Sequence, residues 1–518
     1  VSRTTIICLV AFLSIFWQPS GISHAPMDEQ CTLGVAAGKA TQDGRPMIWK
    51  TRDTSEQNNE VVFVTAYRNK YVAVTNAGST IPWMGVNEKG FAILNSTSED
   101  LAAGSHGMDN GSLMRYALGN CATVAAFQHL LDSTNVTGRQ TQSNFGVMDS
   151  TGAAAIFETA GNQYWKFDAN DSNAAPAGYV LRTNFAFNGA AKNGLHDGIY
   201  SIERYRRTTK LIGDFRAGDS LNYKSILRTQ MRDFSDDQSR PVSVPYLGQW
   251  QANRPYGYIR CDLSICRSTS VSAAVIQGVL PGESARLSTL WAMLGQPAAA
   301  ISVPYWPVGA TPHAANGSNT APLCDIANQI RMLLFDYSAD SRYIDSYKLL
   351  DGLGGGLWTK TFPAEDSIFI MAERHLFDWR KAELAAPSML QIESELAQRA
   401  LSTLQTAYQQ MLTAIAQPAD AHPSQFSLAQ NYPNPLNATT AIQFTLPVPA
   451  FVTLKIYNSL GQEIAVPACG SYLPGDHQIT WNASELATGC YFYQFQAWSS
   501  NEATSPIFTD GKKLLLIK

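Results

Sequence analysis

Between residues 31 and 351 apolar and polar positions alternate in short runs, a period that predicts strands more than long helices. Thr32 to Ala37 is a small apolar strand. Asp43-Gly44 signals a turn, and Met47 to Trp49 restarts the strand, so the two segments predict a hairpin. Phe91 to Leu94, Asn144 to Met148, Ala153 to Glu158 and Tyr164 to Phe167 predict further strands, with Asp149-Ser150-Thr151-Gly152 as a turn. Met114 to Asp132 and Asp197 to Ile212 predict helices. Hairpins surrounded by helices imply an α+β domain of layered antiparallel sheets.

The pattern changes at Ala385 to Gln417. Leu401, Leu404, Tyr408, Met411 and Ile415 recur at helical spacing, and Pro418 ends the run. This predicts a helix that packs on the main domain or bridges two domains. A polar connection follows, and the alternation then returns at Ile442-Phe444-Leu446, Val452-Leu454-Ile456 and Tyr491-Tyr493-Phe495. Gly461, Gly475 and Gly489 punctuate these runs, so residues 424–518 predict a small β-sandwich.

The N-terminus adds a compartment. Arg3, the apolar run Ile6 to Trp17 and the small residues up to Ala25 have the layout of a signal peptide over residues 1–25. The run is too short to span a bilayer. Residues 26–30 then form a short propeptide, residues 31–384 the main domain and 385–423 the helical segment and linker. Composition is globular: 45% of residues are hydrophobic and 15% charged. The net charge of -4, without a block of one sign, points to no nucleic acid as the main partner. Of the eight cysteines, Cys8 leaves with the signal. If Cys31 is a nucleophile, Cys121, Cys261, Cys266, Cys324, Cys469 and Cys490 are left, an even set that suits disulfides in an exported protein. Cys261 and Cys266 lack zinc-site spacing, and nothing requires a metal or organic cofactor.

The last unit resembles a known module. Leu428-Ala-Gln-Asn-Tyr-Pro-Asn-Pro435, Leu454-Lys-Ile-Tyr-Asn-Ser-Leu-Gly-Gln462, Leu473-Pro-Gly475, Trp481, Gly489-Cys-Tyr491 and the ending Lys512-Lys-Leu-Leu-Leu-Ile-Lys518 look like the C-terminal sorting domain of the type IX secretion system. The resemblance implies that residues 424–518 engage that machinery. It also implies a protein released from, or held on, the surface of a Gram-negative bacterium.

The candidate chemistry starts at Cys31-Thr32 and the hairpin ending Lys50-Thr-Arg-Asp53. A thiol attacks only as thiolate, and a free cysteine titrates near ~8.5. If Cys31 is the first residue of the mature chain, its own α-amino group, with a pKa of roughly 7.7–8.0, serves as the base. Strand spacing returns Lys50 to Asp53 beside Cys31. This opening resembles the choloylglycine hydrolase and penicillin acyltransferase-type amidases of the N-terminal-nucleophile class. Gly85-Val-Asn-Glu-Lys-Gly-Phe91 leading to Asn95, Leu181-Arg-Thr-Asn184, Ser201-Ile-Glu-Arg-Tyr205 and Thr289-Leu-Trp-Ala-Met-Leu-Gly-Gln-Pro297 follow in the order of that family. The resemblance implies a four-layer αββα sandwich and hydrolysis of a linear amide through an acyl-thioester on Cys31. It implies that Asp53 orients the α-amino group and that Asn184 and a backbone N–H at or near Asn95 form the oxyanion hole. Arg204 then supports the site electrostatically. The family's basic hairpin residue is commonly arginine. Here Lys50 stands in that place with Arg52 two residues on, and either can serve the thiol.

The implied partner is a small-molecule amide. Dipeptidase activity, acyl transfer and a non-catalytic surface-binding role are the alternatives. No histidine sits in a papain-like motif, and the pairs Asp236-Asp237 and Glu99-Asp100 have the character of solvated turns.

Overall fold

The computed structural model describes residues 30–237, 241–246, 248, 250–251, 254, 256–317, 320–351, 355–381, 386–416, 425–472, 474–498 and 505–518. The expected signal peptide, the propeptide up to residue 29 and the connection over 417–424 lie outside these residues.

Ten strands open the fold: β1 (Gln30–Ala36), β2 (Met47–Asp53), β3 (Asn59–Val64), β4 (Tyr71–Asn76), β5 (Pro82–Asn87), β6 (Ala92–Thr97), β7 (Ser143–Met148), β8 (Ala154–Thr159), β9 (Tyr164–Asp168) and β10 (Tyr179–Arg182). After them come β11 (Tyr258–Arg260), β12 (Ser270–Gln277), β13 (Thr289–Leu294), β14 (Val303–Tyr305) and β15 (Tyr343–Asp345). One antiparallel sheet has the order β10-β1-β2-β12-β13-β14, and a second runs β3 to β9 in sequence. Strands β11 and β15 form a separate ribbon. The two sheets lie face to face, β1 and β2 against β6 and β7, and β13 against β4 and β5.

The alternation of side chains decides this layering. Leu33 and Val35 point into the space between the sheets, where Gly146 of β7 allows close approach: a Cβ there would lie 3.0 Å from Val35 Cγ2. On the outer face of the second sheet, helices α1 (Asn110–Asn120) and α2 (Val124–Thr137) cover Phe91, Phe145 and Phe157. Four helices pack on the first sheet, α3 (Ile202–Ala217), α4 (Tyr223–Arg228), α5 (Pro322–Leu334) and α7 (Trp358–Trp379), and the short α6 (Ser346–Leu349) packs on α5. The last helix, α8 (Ala386–Ala416), packs on α5, α7 and β14 and buries Leu401 and Leu404 in the main core. The result is an αββα sandwich, the architecture that the sequence implied.

Three expectations change. The single helix over 114–132 is two helices. Thr123 caps the second, its hydroxyl accepting the Ala126 N–H at 3.1 Å, and the Asp149 carboxylate accepts the Val124 N–H at 2.7 Å. The helix expected from Asp197 starts at Ile202, after Ser201 turns the chain with φ of 67°. No disulfide joins cysteines among the described residues. Cys469 and Cys490 share the sandwich, but their strands flank Ala450–Tyr457 on opposite sides. Cys469 sits across from Thr453, and Thr453 across from Gln496, which puts Cys490 about 20 Å further along and two strand spacings over. A disulfide needs Cα atoms roughly 4.4–6.8 Å apart. Cys121, Cys261, Cys266 and Cys324 are buried thiols, and burial pushes Cys121 up to about 11 and Cys266 up to about 12.

The described residues between Ser427 and Leu516 form the expected β-sandwich, with Ile442, Phe444, Leu446, Val452, Leu454, Ile456, Tyr491, Tyr493 and Phe495 in its core. Tyr493 ties down the opening motif: its hydroxyl donates to the Ala429 carbonyl and accepts the Asn431 N–H. Phe426 packs edge-on against Tyr256 of the main domain at 5.0 Å between ring centres.

Candidate active site

Cys31 is the second residue of β1 and is fully buried. In the ladder with β2 it faces Arg52, while Leu33 faces Lys50 and Gln30 faces Asp53. Direct ladder partners share a face. Cys31, Arg52 and Lys50 therefore point between the sheets, and Asp53 points to the helix side. Lys50 Nζ donates to Asn95 Oδ1 at 2.8 Å across the gap to β6. Asn95 Nδ2 in turn donates to Ser143 Oγ at 3.2 Å, so both ends of that amide are engaged. The Arg52 guanidinium donates to Asn59 and Asn76 and stacks on Trp83 at 4.6 Å. Arg has the flat face for this contact and Lys does not.

The backbone of Cys31 is gripped from the helix side. Its N–H donates to Asn184 Oδ1 at 2.8 Å. Arg204 donates to the Cys31 carbonyl at 2.7 Å, to Thr32 Oγ1 at 3.1 Å and to Asn184 Oδ1 at 2.8 Å. Asn184 Nδ2 donates to the Thr97 carbonyl at 3.0 Å. Burial pulls the Arg204 pKa down to about 10, with Arg267 acting in the same direction and Asp53 and Tyr200 opposing.

Each group is set by local structure. Asn184 follows β10, where Arg182 pairs with Glu158 at 2.7 Å inside the protein and lies over Phe187. Glu158 also accepts the N–H groups of Phe187 and Asn188. Thr183 O accepts from Ser96 and Asn144, which fixes the strand end from the second sheet. Arg204 enters from the first turn of α3, and the Ser201 hydroxyl accepts the Asn184 N–H at 3.0 Å. Asp53 is held by residues the sequence did not single out. Arg267 Nε and Nη2 donate to its Oδ2 at 3.0 and 2.7 Å, and Ser270 Oγ donates to its Oδ1 at 2.5 Å. Neither lies in a motif, and only the β2–β12 pairing brings them to Asp53. A cavity of about 240 Å³ is bordered by Tyr200, Arg204, Leu263 and Arg267.

The arrangement puts a thiol, a carboxylate and four cations, Lys50, Arg52, Arg204 and Arg267, around one strand end. Residues 40–245 match the family described as acyl-coenzyme A:6-aminopenicillanic acid acyl-transferase, and residues 430–507 match the secretion system C-terminal sorting domain. The matched segment contains Lys50, Asp53, Asn95, Asn184 and Arg204, while Cys31 lies before it and Arg267 after it. No curated protein matches the chain. Among solved structures, a mutant of the conjugated bile acid hydrolase from Clostridium perfringens is similar at 11% identity and a TM-score of 0.32, over 51% of this chain and 89% of that one. Penicillin V acylase from Agrobacterium tumefaciens is similar at 14% identity and 0.33, over 53% and 85%. The N-acylethanolamine-hydrolyzing acid amidase ortholog from Caenorhabditis elegans is similar at 14% and 0.30, over 49% and 95%.

Among the described residues no cluster of histidine, cysteine, aspartate or glutamate could hold a metal ion, and no helix is long and apolar enough to cross a membrane.

Proposed function

We propose that the protein is an exported amidohydrolase that cleaves a linear amide through Cys31 after residues 26–30 are removed. The observation that carries this reading is the convergence of Asn184 and Arg204 on the backbone of a buried cysteine at a strand start. In the unprocessed chain the nitrogen held by Asn184 is an amide. Once cleaved it becomes an amine, already positioned, that takes the thiol proton as Sγ attacks the substrate carbonyl carbon. The C–N bond then breaks, the proton passes to the leaving amine, and a thioester remains. Water adds to that thioester, gives its proton to the α-amine, and releases the acid. Asn184 and the backbone near Asn95 supply the oxyanion donors, a role that typically contributes ~2.7–4 kcal/mol per donor. Of the two candidate cations beside the thiol, we assign Arg52, because it is the ladder partner of Cys31, whereas Lys50 faces Leu33. The sorting domain supports export by the type IX route to the surface or the medium.

The test is to purify the exported protein, map its N-terminus by mass spectrometry and assay bile-acid conjugates, penicillins, N-acyl amino acids and dipeptides. The expected result is Cys31 as first residue and a hydrolysed amide, with activity lost in Cys31→Ala. Active protein that begins before residue 31 would sink the mechanism. The family description names an acyl-transferase, which favours a second reading in which an acceptor amine resolves the thioester. Adding such an amine and finding the transferred amide in place of the acid distinguishes the two.

A further inference from the structure

Asp53 is clamped more firmly than its place at a hairpin end requires. Oδ2 accepts two donors from Arg267 and Oδ1 accepts the Ser270 hydroxyl. The clamp is itself built. The Arg267 N–H donates to Ser270 Oγ at 3.1 Å, the Ser270 N–H donates to the Arg267 carbonyl at 3.0 Å, and Gln296 Nε2 donates to that same carbonyl at 3.3 Å. The β2–β12 register shifts between Ser270 and Ser272, beside Asp53 and Arg52. Such an irregularity re-aims a side chain, and here it lets the Ser270 hydroxyl reach the carboxylate.

A carboxylate has about four lone-pair sites. Three donors leave one, on Oδ1. Across the ladder stands Gln30, the residue whose removal exposes the Cys31 nitrogen. Arg204 and Glu99 complete the charged surroundings, with the neutral Tyr200 beside them, and Arg52 is next in the strand. We propose that Arg267, seconded by Ser270, is a positioning residue that holds the Asp53 carboxylate with its remaining lone pair directed at the amine of residue 31. Arg267 touches neither thiol nor substrate in this role; it acts through Asp53. The inference rests on the proposed function in one respect, that residue 31 becomes the N-terminus.

The test uses the mature full-length protein and the variants Arg267→Met, Arg267→Lys and Ser270→Ala. Each is treated with iodoacetamide across pH, and the Cys31 peptide is quantified by mass spectrometry, which needs no substrate. Removing a cation from this group raises the midpoint of Cys31 alkylation in Arg267→Met by about one pH unit or more. Arg267→Lys keeps the charge and the wild-type midpoint but loses the two-pronged contact, so kcat falls with KM little changed. Ser270→Ala shifts the midpoint less than Arg267→Met and reports on the clamp even if that variant does not fold. An unmoved midpoint in folded Arg267→Met or Ser270→Ala, with Cys31 at the N-terminus, overturns this inference alone. A wild-type N-terminus before residue 31 overturns the proposed function and this inference with it.

Discussion

Replacing Arg204 by methionine removes the guanidinium that joins Cys31, Thr32 and Asn184 while leaving most of its volume filled. Arg204 is 2% exposed and makes three hydrogen bonds, of 2.7, 3.1 and 2.8 Å. Bonds from a charged donor contribute ~1.5–3 kcal/mol each, a gross loss of about 4.5–9 kcal/mol. Methionine also avoids the desolvation of a buried cation, which costs several kcal/mol. What is left is the Cys31 carbonyl without its donor, a buried unsatisfied acceptor worth ~1–3 kcal/mol, together with a looser Asn184. The net expectation is a destabilisation of about 2–3 kcal/mol, read as a lower midpoint in urea with an unchanged slope. Arg204→Lys keeps a charge but cannot span three acceptors, so it falls between the wild type and methionine. Misplacement of the Cys31 backbone lowers amide turnover in both variants, by ~100-fold for a shift near 1 Å. An Arg204→Met protein with the wild-type urea midpoint and wild-type turnover would refute this reasoning.

Two further outcomes test the fold around the site. Glu393 of α8 is buried against β14 and accepts the Trp306 N–H at 2.6 Å; burial raises its pKa to about 8. An unfolded glutamate titrates near ~4.3, so the native state binds the extra proton between these values and stability falls as pH rises from ~4.3 to about 8. Glu393→Gln keeps the acceptor and stays neutral; a urea midpoint that still falls as steeply as wild type between pH 6 and 8 would remove Glu393 as the cause. Gly34→Ala drives a Cβ into the buried Trp49 ring, so the chain or the indole must move. Overpacking of this kind costs ~1–3 kcal/mol, and calorimetry should show melting temperatures falling from wild type to Gly34→Ala to Gly34→Ser; an alanine variant that melts with the wild type would show that the contact is not tight.

Strand existence was legible because a half-buried strand must alternate apolar and polar positions. The six strands expected near β1, β2, β6, β7, β8 and β9 all form. Helix boundaries were less legible. The break at Cys121 to Thr123 depends on Asp149, a residue of a distant turn, accepting the Val124 N–H. The disulfide expectation failed for a related reason: an even count of cysteines carries no distance, and the register sets Cys469 and Cys490 far apart.

By itself, the sequence determined the pieces. Local pattern marked the hairpin that carries Cys31, Lys50, Arg52 and Asp53, and resemblance to known families marked the segments that carry Asn95, Asn184 and Arg204 and the sorting unit at the end. Tertiary structure decided how those pieces meet. Only the register of β1 on β2 shows that Arg52, and not Lys50, stands opposite Cys31. Only the pairing of β2 with β12 brings Arg267 and Ser270 onto Asp53, over more than two hundred intervening residues. A one-residue slip would turn every one of these side chains to the other face, and short stretches of sequence do not record which register wins.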